Sequence, residues 1–380
     1  MDVEQLREDV RAGRITPMPK DRPDPLLTYN VFFNADLTNV GTVGKDQAFL
    51  WNHLKLAQDY GFEAFVVDAI WFPGGWWQYQ GPWIWDPKRY PDGGKPFEEF
   101  CRHHGMKFGL WCSWGRCFDQ AEKTTHQIVA DNRLGYFKHD LQGLTPGGGY
   151  QGTLGYYKVQ DSLRKAFPDL ILEDCCDGGT IKDFGIMSHA HYVVTTDNIS
   201  ALPDRMGIYD STFVFPPMVL QNYTSLNSDK PGPYLWRSGM MGAWVIDVPP
   251  LPEQAESIRT AVRTYKSWIR PILRDCKVHH VLPRPDGKQW DGLFYWGPSL
   301  KKGVLFVFRP QSDQDRCLVK LRGLDPKGQY WVWSEDGAVA LSLRNGEVLM
   351  QQGLDVSLPT PMSSDLVFLQ DGALGKPAAK

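Results

Sequence analysis

Leu134-Gly135-Tyr136-Phe137-Lys138-His139-Asp140 and Tyr192-Val193-Val194-Thr195-Thr196-Asp197-Asn198 decide how this chain is read. Each is a short β-rich run bounded by turn signals, the pattern of a buried strand. Each ends on a carboxylate. An Asp on the last residue of a barrel strand points into the barrel mouth, where chemistry is done. The alternative use of such an Asp is as a helix N-cap or a solvated loop anchor. Two carboxylates on different strands of one mouth suit glycoside hydrolysis. One attacks the sugar, and the other protonates the leaving oxygen.

Outward from these runs, short apolar stretches alternate with amphipathic ones. Leu26–Phe33, Phe62–Asp68, Lys107–Ser113, Tyr136–Asp140, Leu170–Cys175 and Tyr192–Asp197 read as strands, and Phe213–Gln221 and Leu235–Ile246 supply the remaining two. Asp46–Tyr60 is a helix stopped by Gly61. Pro96–His104 is a helix with Pro at its start. Tyr157–Phe167 is a third. Glu253–Ile269 places Ala255, Ile258, Ala261, Val262, Tyr265, Trp268 and Ile269 on one face. The expected fold is therefore an α/β (β/α)8 TIM barrel over residues 26–275. An open doubly wound sheet is disfavoured because no Gly-rich dinucleotide loop follows the first strand. Beyond Pro271 the pattern changes to short strands separated by Gly, Asp and Pro. They lie at Val304–Phe308, Cys317–Leu321, Tyr330–Ser334, Ala338–Leu343, Asp355–Leu358 and Leu366–Leu369, with no helix of any length among them. Residues 276–380 are thus expected to form a small antiparallel β-sandwich. Residues 1–25 read as a charged, Pro-rich linker or lead-in.

Composition narrows the function classes. The chain has 380 residues, 42% hydrophobic and 22% charged, with a net charge of −3. It carries no long run of like charge, so nucleic acid and anionic membranes are poor partners. No apolar stretch is long enough to span a bilayer, and the N-terminus has no charged-then-apolar export signal, which points to a cytoplasmic location. The 15 Trp, 15 Tyr and 19 Phe are a heavy aromatic load. Trp71, Phe72, Trp76, Trp77, Tyr79, Trp83 and Trp85 crowd one Gly/Pro-rich loop, where flat rings suit stacking on sugars. The seven Cys lack zinc spacing and read as mostly reduced thiols. His189-x-His191 reads as structural rather than metal-ligating. No metal and no organic cofactor is implied.

Several segments together resemble a known family. Lys138-His139-Asp140 is similar to the Lys-Trp-Asp signature of glycoside hydrolase family 36, the α-galactosidase (melibiase-like) family of clan D. Glu173-Asp174-Cys175-Cys176-Asp177-Gly178-Gly179, followed by Asp183 and Gly185, resembles its Glu-x-Cys-x-x-Gly-Gly and Asp-x-Gly. Thr196-Asp197-Asn198 with Arg205 resembles its Ser-Asp-Asn with a downstream Arg. Trp85–Pro91, His104–Trp111, Tyr265-Lys266 and Leu321–Leu324 fall in family order. The family's large N-terminal β-domain has no counterpart in these 380 residues.

The resemblance implies a retaining exo-α-glycosidase acting on terminal α-galactosides or a close relative through a covalent glycosyl-Asp intermediate. Asp140 falls on the nucleophile and Asp197 on the acid/base. Lys138 and Asp68 fall on sugar-hydroxyl ligands, and Cys175 and Gly178 on the C2-hydroxyl subsite. Arg205 falls on a positioning arginine, and Trp71 and Trp111 on substrate-facing aromatics. The partner is an oligosaccharide or glycoside; the oligomeric state is left open. On physical grounds Lys138, two residues before Asp140 on one strand face, is expected to hold Asp140 ionised. Asp197 must start protonated, and Asp174, Asp177 and Asp183 are the nearby carboxylates available to raise its pKa. Where the family has a pair of Asp residues, this chain has Asp68-Ala69. That loss of a ligand is expected to weaken the hold on the sugar's 4- or 6-hydroxyl, unless Trp71, Arg116 or a water fills the gap. The same mechanism on another sugar (an α-N-acetylgalactosaminide or a β-L-arabinopyranoside), a transglycosylase, and a non-catalytic carbohydrate-binding protein are the alternatives.

Overall fold

The computed structural model describes residues 3–14, 24–31, 45–75, 82–113, 120–140, 149–224, 232–246 and 252–377. Parallel strands close on themselves in chain order to form the barrel: β1 (Thr28–Val31), β2 (Ala64–Val67), β3 (Lys107–Ser113), β4 (Tyr136–Asp140), β5 (Ile171–Asp174), β6 (Tyr192–Val194), β7 (Leu220–Thr224) and β8 (Ala243–Ile246), with β8 pairing back onto β1. The expected TIM barrel is therefore the observed one. All residues of these strands but Lys107 are buried, because the interior is packed with side chains and helices cover the outside.

Local rules account for the covering helices. Gln47–Tyr60 begins where the Asp46 side chain accepts from the Phe49 amide at 3.0 Å, and it ends at Gly61 with φ 81°. Lys95–His103 has Pro in its first turn. The Ala255–Thr264 helix continues through one π-helical turn, Tyr265–Ile269, into Arg270–Leu273. It buries Ile258, Ala261, Val262, Tyr265 and Ile269, the face its periodicity gives.

Two strands differ from the sequence expectation. The stretch Phe213–Gln221 is mostly turn and 3-10 helix (Pro217–Val219), and β7 begins only at Leu220. Paired prolines at 216 and 217 remove ladder donors and delay the strand. In Leu235–Ile246 only the last four residues are strand, because Pro233–Gly239 is a helix opened by Pro.

The second unit contains a six-stranded sheet in the order β14-β13-β16-β11-β10-β9 and a two-stranded one, β12-β15. Their members are β9 (Lys277–His279), β10 (Asp291–Gly297), β11 (Lys302–Arg309), β12 (Arg316–Val319), β13 (Gln329–Ser334), β14 (Ser342–Asn345), β15 (Leu354–Ser357) and β16 (Ser363–Asp371), all antiparallel. A short helix, Gly346–Gln351, lies among them, against the all-strand expectation; Asn345 caps it through the Glu347 amide. The sheet is bolted to the barrel by buried ions. Arg205 chelates Asp291 at 2.7 and 3.1 Å. Arg237 donates to the Ser364 carbonyl and to Glu335 and Asp336.

The stretch expected to be a linker is partly a helix, Val3–Arg11. Its Arg7 is buried and donates to the carbonyls of Thr212 and Val278, while Arg11 donates to that of Cys276. The helix thereby satisfies carbonyls next to and on the edge strand β9. Among the described residues no helix is long and apolar enough to cross a membrane.

Candidate active site

The C-terminal ends of β4, β5 and β6 bring the sequence-selected residues together. On β4, alternation sends Lys138 and Asp140 into the barrel and His139 outward. His139 is buried against Gln160 at 3.1 Å, and burial holds it neutral, with its pKa down at about 3. Asp140 is buried and held through both oxygens. Oδ2 accepts from the Trp111 indole at 3.0 Å, and Oδ1 from the Asp177 amide at 2.8 Å. A carboxylate gripped this way is fixed in direction and keeps lone pairs for attack.

The Asp177 amide reaches Asp140 because the chain makes a left-handed turn after β5. Cys176 (φ 45°), Asp177 (φ 49°), Gly178 (φ 72°) and Gly179 (φ 88°) are all in the left-handed region. The turn is closed by Gly179 N–H to the Cys175 carbonyl at 2.6 Å and Thr180 N–H to that of Cys176 at 2.9 Å. Residues with a β-carbon cost about 1–2 kcal/mol each there. Glycine is required at 178 on a second ground: an added Cβ would lie 2.7 Å from the Asp197 amide nitrogen and 2.8 Å from its carboxyl carbon. At 179 it would lie 2.3 Å from the Val194 carbonyl oxygen. The turn therefore touches Asp140 on one side and Asp197 on the other.

Asp197 lies just beyond β6, with solvent-accessible surface in the mouth. The Cys175 thiol faces its Oδ1 at 3.5 Å. Its pKa is raised, first by desolvation and next by the like charge of Asp140; Lys138 and the Cys175 hydrogen bond oppose this. Of the carboxylates expected to raise it, Asp174 faces out of the barrel, where it accepts from Tyr156 at 2.6 Å. Asp183 takes the Tyr157 hydroxyl and caps the Ile186 amide. The carboxylates that raise the Asp197 pKa are Asp140 and Asp68.

Lys138 is not paired with Asp140 as expected. Its ammonium donates to Asp68 at 2.9 Å, stands 3.9 Å from Glu173, and lies 4.7 Å over the Tyr223 ring. Although burial alone would discharge it, these partners raise its pKa well above the usual lysine value. Asp68 also accepts from Asn30 at 2.8 Å. Below them Glu173 accepts from the hydroxyls of Tyr136 and Tyr223, each at 2.5 Å. The Gln221 amide, oriented with its nitrogen toward Glu173, lies 3.1 Å from both carboxylate oxygens. This floor of Asn30, Tyr136, Glu173, Gln221 and Tyr223 was not picked out as site residues from the sequence. Polar residues at inward-facing positions of otherwise apolar strands are the signal that finds it.

Other expected ligands sit elsewhere. Trp71 and Phe72 have no exposed surface, and the Trp71 indole donates to the Trp111 carbonyl at 2.9 Å, so Trp71 buttresses Trp111 from behind rather than facing a sugar. Trp76, Trp77, Tyr79 and Arg116 lie outside the described residues. Trp83 and Trp85 are half-buried, packed on Trp71. Arg205 is corrected outright. Its guanidinium is fully buried and spent on Asp291, Tyr234, Ser238 and the Ala201 carbonyl, at the junction with the second unit. Ala69 is fully buried in the apolar core, and its amide donates to Asp68 Oδ1 at 2.8 Å. His189 bonds Asp161, and His191 accepts from the Leu172 amide; both are structural uses. The described cysteines are free thiols.

Known proteins carry the same architecture. The Melibiase family model matches residues 135–232, and the glycosyl hydrolase family 36 C-terminal domain matches 295–369. A probable α-galactosidase C of Aspergillus flavus is 23% identical over 92% of this chain and 53% of its own length. An Escherichia coli α-galactosidase is 25% identical over 54% of this chain and 34% of its own. The chain spans about half the length of the first of these relatives. A family 36 α-galactosidase from Geobacillus stearothermophilus superposes with TM-score 0.80 at 19% identity, covering 97% of this chain and 58% of that one. Another structure of such an enzyme from that organism, solved with raffinose, gives TM-score 0.80 at 16% identity, covering 97% of this chain and 58% of that one. The two family models match in order, one on the barrel and one on the β-unit behind it, so over these residues the chain is similar to glycoside hydrolase family 36 proteins.

Proposed function

We propose that this chain hydrolyses terminal α-galactosides with net retention of anomeric configuration. The observation that carries the reading is the pairing of two differently treated carboxyls across one turn. Asp140 is clamped by two N–H donors, and Asp197, exposed at the mouth, is pushed toward its protonated form. Asp140 attacks the anomeric carbon while Asp197 gives its proton to the leaving oxygen. Asp197 then takes a proton from the water that cleaves the galactosyl-Asp140 ester. Lys138 and Asp68, joined to each other at the pocket floor, present a donor and an acceptor to sugar hydroxyls. The choice of galactose rests on the names borne by the relatives and the matched structures. Raffinose in the matched Geobacillus structure supports α-galactosyl oligosaccharides as the substrate class.

The test is Asp140→Asn. Its amide cannot attack carbon, so turnover of p-nitrophenyl α-galactoside falls by at least about 10³-fold with the fold intact. Azide restores activity and yields the β-galactosyl azide. Near-normal turnover in Asp140→Asn rejects the mechanism.

A further inference from the structure

A cavity of about 570 Å³ lies where the Val3–Arg11 helix meets the β-unit at β9. Phe213, one of its walls, follows the Ala201–Ser211 helix and precedes β7, which puts the cavity beside the barrel face opposite Asp140 and Asp197. Arg7, Lys277 and Arg322 line it, and Glu4 is the one carboxylate among the described lining residues. Arg7 holds Glu4 at 2.6 Å. Lys277 stands 3.3 Å from Glu8 at the surface, where such a pair is worth little. Arg322 is exposed and makes no hydrogen bond or ion pair with the described residues. Burial first, and the charges of Arg7 and Arg322 with it, keep His279 and His280 neutral, each with its pKa down at about 4. The same positive field favours an anion.

Two buried side chains of the lining keep a donor in reserve. Arg7 spends Nε and Nη1 on the Thr212 and Val278 carbonyls and on Glu4, which leaves Nη2. Trp296 is only 7% exposed, and its indole N–H, which can only donate, has no acceptor among the described residues. Both side chains line the cavity, and a buried donor without an acceptor is costly. A guanidinium fork matches the oxygens of a carboxylate or a phosphate. The volume is that of a small-molecule site rather than of a bare ion. Phe213, 40% exposed, lies flat on His280 with centroids 3.8 Å apart and planes at 8°, and so offers a ring face to an organic group. We propose that this cavity binds a small organic oxyanion, its phosphate or carboxylate held by Arg7, Arg322 and the Trp296 N–H and its organic part laid against Phe213.

The test is isothermal titration calorimetry of the whole chain with phenyl phosphate, benzoate and inorganic phosphate, and with phenol as the neutral control. Phenyl phosphate or benzoate should bind once per chain. Arg322 is exposed, so Arg322→Gln should keep the wild-type melting temperature while weakening that binding by about tenfold or more. Phe213→Ala should weaken phenyl phosphate by about fivefold and leave inorganic phosphate within about twofold, because only the former carries a ring. Tighter binding of phenyl phosphate than of benzoate assigns the site to phosphate esters, and the reverse order assigns it to carboxylates; both support the site if Arg322→Gln weakens them. Phenol binding as tightly as the anions, no binding of either organic anion at about 10 mM, or unchanged affinity in Arg322→Gln overturns the proposal.

Discussion

Asp197 is subject to opposed influences, and their balance sets the pH range of the proposed reaction. Desolvation and the charge of Asp140 favour the protonated acid; Lys138 and the Cys175 thiol favour the ionised form. Because the first pair wins, the Asp197 pKa lies above its ordinary aspartate value. Glycosyl transfer should therefore decline only as pH rises through this raised value. Replacing Cys175 with Ala removes a stabiliser of the ionised form and should move that basic limb upward. Asp197→Ala should abolish the limb for activated aryl galactosides while costing about 10²–10⁴-fold on raffinose-type substrates, whose leaving groups need the proton. Equal losses on both substrate types, or an unmoved basic limb, would assign Asp197 a structural role.

Arg205 and Asp291 join the helix Ala201–Ser211 to β10, and both are fully buried. Burial pushes the Asp291 carboxyl up, and the guanidinium opposes it. Removing one partner leaves the other charge uncompensated, so Arg205→Ala should destabilise the chain by about 3–5 kcal/mol in urea unfolding. With Arg205 bonded away from Asp140 and Asp197, kcat of the folded fraction should stay near wild type. A large kcat loss at unchanged stability would return Arg205 to the sugar site. The misplacement has a physical origin: sequence order put Arg205 near Asp197, but nothing in the sequence tells which side of its helix meets a domain folded from residues about 90 positions away. The same limit hid the Val3–Arg11 helix, whose buried Arg7 is satisfied by carbonyls distant in sequence. β4, β5 and β6 were legible because their apolar runs end on carboxyl-bearing motifs. β7 was not, because Gln221 and Asn222 serve polar networks in the interior and break the apolar pattern. Gly178 and Gly179 announced a turn, yet its left-handed course through Cys176 and Asp177 could not be read from residue types that ordinarily avoid it.

At the scale of the whole molecule, the barrel gathers the chemistry onto one rim and the β-unit braces it from behind. Lys138, Asp140, Cys175, Gly178 and Asp197 come from the ends of successive strands and converge there. The central claim is that Asp140 and Asp197 act as nucleophile and acid/base on an α-galactoside. The most direct test is proton NMR of the anomeric signals during the first turnovers of p-nitrophenyl α-galactoside. With retention, α-galactose appears first and the β-anomer grows only with mutarotation. β-Galactose as the first product would contradict it.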